Sequence, residues 1–74
     1  MEFKVGTRGR IVSECFVSSD VEEVDGVLTA NEHWREEGEF VVVGVEEDFI
    51  KVVFDGEDWE WWIGEEDFEN LETL

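Results

Sequence analysis

Seventy-four residues allow one domain, and 22 acids against 5 bases, a formal net charge of −17, exclude direct binding to a phosphate backbone or an anionic membrane, which depends on Lys and Arg. A hydrophobic fraction of 42% that includes six Phe and four Trp is too apolar for a disordered acidic tail, so the chain is expected to fold. One Cys and one His exclude a disulfide framework, a zinc cage and a redundant nucleophile system, and no cofactor fold fits the length.

In chain order, Phe3 to Gly9 places Gly6 and Gly9 close together, which is turn chemistry, and leads into a first strand over Arg10–Val17, rich in Ile, Val and Phe. Within Ser18–Gly38, Thr29-Ala30-Asn31-Glu32 fits a Thr-x-x-Glu capping box and predicts a short helix through Glu37, ended by Gly38. Upstream, a two-residue hairpin at Val24-Asp25-Gly26-Val27 competes with a second capping box at Ser19-Asp20-Val21-Glu22, and both readings stay open. Glu39–Val45 and Phe49–Phe54 are strands by their β-branched and aromatic content, joined by Glu46-Glu47-Asp48 as a hairpin loop. Asp55-Gly56 signals a tight turn into a third meander strand, Trp59–Ile63. Gly64 breaks it, Glu65–Phe68 makes a helical turn, and Leu71–Leu74 closes the sheet. The expectation is one all-β domain over residues 1–74, five strands with a long, partly helical loop after the first.

This order of elements resembles the small SH3-like β-barrels. The resemblance rests on Val5-Gly6-Thr7-Arg8-Gly9-Arg10-Ile11-Val12, an excursion, Val41–Val45, Ile50-Lys51-Val52-Val53-Phe54-Asp55-Gly56, Trp61-Trp62-Ile63 and the terminal Leu71. It implies a glycine-turned first strand, a long loop, a three-strand meander, a short 3₁₀ turn and a closing strand. No functional residue carries over: the basic surface of nucleic-acid-binding members is missing, and the peptide groove of signalling members has no Tyr to map onto.

The charge is unevenly placed. Residues 1–13 carry Lys4, Arg8 and Arg10 against Glu2, whereas Asp55–Leu74 holds nine acids and no base. In Trp59-Glu60-Trp61-Trp62-Ile63 a strand puts Trp59, Trp61 and Ile63 on the core face and Glu60 with Trp62 on the other, leaving Trp62 to pack under the long loop or to anchor a partner. The candidate partner-binding residues are Glu57, Asp58, Glu60, Trp62, Glu65, Glu66, Asp67 and Glu69. A small domain needs a net charge of magnitude only about 2–8 for solubility, so the excess asks for a reason beyond it.

Metal and catalytic readings have less behind them. Counted from Asp55, the sixth position is Glu60 where an EF-hand loop needs glycine, so no metal site is expected. His33, in the predicted helix, has no second His or Cys at catalytic spacing and is read as a surface residue beside Trp34; Cys15 is read as a small buried hydrophobe. No catalytic residue and no cofactor is expected. The functional expectation is an acidic binding protein for a basic protein surface, a nucleic-acid-binding protein above all. Small size and extreme acidity resemble phage-encoded inhibitors that imitate nucleic acid and disarm host machinery. The rival readings are a structural or assembly protein, with homo-oligomer contacts through the barrel, and an acidity that is adaptation to high salt with no mimicry. The chain has no long apolar run of the kind a signal or membrane span needs, so a cytoplasmic protein is expected, in the host if phage-encoded.

Overall fold

The computed structural model describes residues 3–74, without the side chain of Val21. Glu2, counted above with the N-terminal charge, lies outside the described residues. Seven strands form one antiparallel sheet: β1 (Arg8–Ile11), β2 (Cys15–Val24), β3 (Val27–Arg35), β4 (Gly38–Val45), β5 (Phe49–Phe54), β6 (Trp61–Gly64) and β7 (Leu71–Thr73). A 3₁₀ helix over Glu65–Asn70 precedes β7. The spatial order is β3-β2-β6-β5-β4-β1-β7, an open sheet with β3 and β7 at its edges. Among the described residues no helix is long and apolar enough to cross a membrane.

Alternation builds the core. On β5, Ile50, Val52 and Phe54 point inward while Phe49, Lys51 and Val53 point outward; β4 adds Phe40 and Val42, and β6 adds Trp61 and Ile63. Ile11, Cys15, Val17, Leu71 and Phe3 complete it. β4 carries two partners, β1 along Gly38–Val41 and β5 along Phe40–Val45, and its register slips between Val42 and Gly44. Close packing at that junction fixes Gly9, which pairs with Phe40: a Cβ there would lie 2.7 Å from the Phe40 ring and 2.9 Å from the Glu72 carbonyl oxygen.

The meander, the Asp55-Gly56 turn and the turn at Glu65 stand as expected, and four other expectations need correction. The segment 29–37 is not a helix; Val27–Arg35 is strand β3, paired with β2 over Cys15–Val24. Asp25 and Gly26 both take positive φ, 51° and 80°, the type I′ geometry that matches strand twist, and the ladder it starts outweighs the local capping preference. The run Arg10–Val17 is two strands, not one. At Val12–Glu14 the chain leaves its partners β4 and β7 to join β6, and Val12 N–H and Ser13 N–H donate to the Asn70 carbonyl at 2.9 and 3.3 Å. The third meander strand runs over Trp61–Gly64 rather than Trp59–Ile63: Gly64 pairs with Phe49 instead of breaking the strand, and Trp59 lies in the preceding loop with its indole exposed instead of in the core. With the hairpin included the strands number seven instead of five.

The hairpin has its own irregularity. Its register shifts between Ser19 and Glu22, where Asp20 takes φ 53°, and the Asn31 amide donates to the Asp20 carboxylate at 3.0 Å across the two strands. With strands of ten and nine residues, it accounts for much of a molecule 40 Å long and about half as wide, at 23 × 22 Å.

Candidate partner-binding site

Pairing dictates which side chains share a face. Phe16 lies opposite Trp34 and Ser18 opposite Glu32, while Ser18 also faces Trp62 on β6, and Trp62 faces Lys51 on β5. The outer face of β3-β2-β6-β5 therefore carries Trp34, Phe16, Trp62 and Phe49, one aromatic from each of four adjacent strands. Trp34 and Phe16 approach to 5.1 Å between ring centroids, and Trp62 stacks on Phe49 at 4.6 Å with 14° between planes. Lys51 Nζ sits 5.6 Å from the Trp62 ring, which holds the cation at the aromatic row.

A groove of about 430 Å³ opens on this face between the hairpin and the β5–β6 pair. Its floor is Phe16, Phe49, Trp62 and Ala30, and the exposed Leu28 and the carboxylates of Glu32, Asp48 and Glu66 stand at its rim. An apolar floor with anionic edges suits a ligand that brings an apolar stem and a positive charge together, as Lys and Arg side chains do.

The predicted site residues divide into two sets. Trp62 and Glu66 belong to the groove, and Asp58, Glu60, Glu65 and Glu69 are exposed on the β5–β6 loop and the 3₁₀ helix. Glu57 and Asp67, by contrast, have internal partners. Glu57 accepts from Arg35 Nη2 at 3.1 Å and from Trp61 Nε1 at 2.6 Å. The Arg35 guanidinium in turn lies 3.9 Å over the Phe54 ring, so this cluster fastens the root of the hairpin to the core. His33 adds an edge-on contact to Trp61 at 5.5 Å. Asp67 accepts the Phe16 N–H at 3.0 Å, tying the 3₁₀ helix to the start of β2.

Sequence reasoning missed Phe16, Leu28, Ala30, Glu32, Trp34, Asp48 and Phe49 as residues of this face. The signal was the two-residue spacing Leu28, Ala30, Glu32, Trp34, which means one face only if the segment is a strand.

The arginines are drawn away from the groove. Arg8 pairs with Asp55 at 2.9 Å and Glu39 at 3.7 Å, Arg10 pairs with Glu72, and Arg35 pairs with Glu57. Among the described residues no other carboxylate forms an ion pair, so those of the hairpin, the β4–β5 loop and the 3₁₀ helix have no cationic side chain paired with them. Nor do three His, Cys, Asp or Glu groups among the described residues gather closely enough to hold a metal ion. Cys15 is fully buried, and burial, followed by the charge of Asp67, pushes its thiol up from 9.0 to about 11, the opposite of an activated nucleophile. No protein-family model, curated protein or solved structure matches the chain.

Proposed function

We propose that this chain is a non-enzymatic acidic binding protein on an SH3-like barrel plan, which takes a basic surface of a nucleic-acid-binding protein by presenting carboxylates where phosphates would lie. The observation that carries the reading is the aromatic row Trp34, Phe16, Trp62 and Phe49 with Glu32, Asp48 and Glu66 at the margin of its groove. Charge alone steers encounter and raises the association rate; an apolar anchor is what slows release. Here the two lie side by side. The barrel plan is supported by the chain order: β1, an excursion, the meander β4-β5-β6, a 3₁₀ helix, and β7 returning to pair with β1. The excursion departs from the expected loop by adding two strands. A competitive inhibitor of nucleic-acid binding, phage-encoded and acting in the host cytoplasm, is the biological setting that fits a small chain with this charge.

The test is retention of proteins from a lysate on the immobilised chain at about 50 mM and about 500 mM salt, with and without duplex DNA as competitor. Retained nucleic-acid-binding proteins are expected to be released by salt and displaced by DNA. Replacing Asp58, Glu60, Glu65, Glu66 and Glu69 by their amides should abolish retention and leave the melting temperature equal or higher. Retention indifferent to both salt and DNA would overturn the reading. It would favour instead a structural or assembly protein, to which the exposed apolar tip of the hairpin, Val24, Val27 and Leu28, lends support; light scattering at low and high salt would then show a salt-insensitive oligomer.

A further inference from the structure

β3 is an edge strand of nine residues, and its ladder is satisfied on one side only, by β2. The opposite edge of the sheet ends in β7, three residues long. Long exposed edges invite a further strand, and proteins normally blunt them with Lys, Pro, a bulge on the edge strand or a covering element. β3 has no Lys and no Pro, and each of its residues is exposed or half-buried. Leu28 and Trp34 are exposed by 72% and 64%. Alternation places Leu28, Ala30, Glu32 and Trp34 in one row that continues the floor and rim of the groove.

We infer that the free edge of β3 is a docking edge for an extended cationic segment of a partner protein, which adds to the sheet as an eighth strand; this rests on the acidic-binder reading and specifies how the partner is held. Charge selects the occupant. From Cys15 to Arg35 the hairpin carries five carboxylates and one guanidinium. A second copy paired about Asn31 would put Leu28 opposite Trp34, but it would also lay two such hairpins side by side at the roughly 4.8 Å strand spacing. A strand that alternates Lys or Arg with apolar residues instead sets a cation beside Glu32 and, on the same face, further cations whose apolar stems lie along Leu28 and whose charge meets the Trp34 ring. Main-chain hydrogen bonds supply affinity that tolerates sequence, and the Leu28-to-Trp34 row supplies the preference for positive charge.

The probe is an octapeptide of alternating Val and Lys, capped at both ends, titrated into the full chain and followed by amide hydrogen exchange and NMR. Binding should slow exchange of edge-facing β3 amides at least about tenfold, while the same peptide methylated on every backbone nitrogen should bind at least about tenfold more weakly. Glu32→Lys should weaken the Val-Lys peptide while an uncharged Val-Ser peptide binds as it does to the wild type, a split that misfolding cannot mimic. No binding, equal binding of the methylated peptide, or concentration-dependent β3 protection without peptide would each overturn edge docking. Peptide binding with unchanged β3 exchange would overturn it too while leaving the acidic-binder reading intact, whereas that reading fails by its own test, salt- and DNA-indifferent retention.

Discussion

Single residues divide into those whose environment follows from type and those fixed by a partner distant in sequence. Cys15 belongs to the first group: a lone cysteine in an apolar run is a small buried hydrophobe, and it is fully buried. Its thiol, raised from 9.0 to about 11 by burial and then by Asp67, stays neutral in the folded protein while the unfolded chain ionises from about pH 9. Stability from this group is therefore fully present below about pH 9 and is lost as the pH rises toward about 11. The urea midpoint should fall across that interval in the wild type and fall less in Cys15→Ala; identical profiles would assign the dependence to other groups. Glu57 belongs to the second group. In sequence it is one acid among the nine from Asp55 to Leu74, and only Arg35 and Trp61 make it part of the framework.

At the level of elements, the two central strands that bury a face in the core were legible and the exposed hairpin strand β3 was not. Glu39–Val45 and Phe49–Phe54 are dense in β-branched residues because both strands pair on two sides and bury one face in the core, and their observed bounds differ by at most one residue. β3 reads Val-Leu-Thr-Ala-Asn-Glu-His-Trp-Arg, polar enough to suit a helix surface, and it is a strand because β2 and the Asp25-Gly26 turn hold it there. The same one-sided support predicts how it opens. Amides of β3 should exchange at least about tenfold faster than those of β4 and β5 in the free protein, since little buried apolar surface has to be exposed to release them. Equal protection across the sheet would mean that the hairpin opens only with the core.

Across the whole molecule, a net charge of −17 opposes compaction, and ion pairs to Arg8, Arg10 and Arg35 relieve it only locally. The Debye length shortens from about 30 Å at 0.01 M to about 10 Å at 0.1 M ionic strength, so added salt screens repulsion across a molecule 40 Å long. The melting temperature is expected to rise between those salt concentrations, with a folded far-ultraviolet dichroism spectrum already present at the lower one. Loss of structure at low salt would point to adaptation to a saline environment in place of partner binding.

Composition and alternation by themselves determined an all-β chain with a core of Val, Ile, Phe and Trp and a surplus of uncompensated carboxylate, because inward and outward positions on a paired strand are set by neighbours two residues away. Only the tertiary structure decided which carboxylates are framework and which are free, that Trp34 and Phe16 join Trp62 and Phe49 in one row, and that β3 is an edge. Those facts depend on which strand lies beside which. Pairing between segments far apart in the chain, such as β2 with β6, leaves no local periodicity to read, and the hairpin ladder begun at Asp25-Gly26 overrode two local signals, the capping boxes at Ser19 and Thr29, that pointed elsewhere.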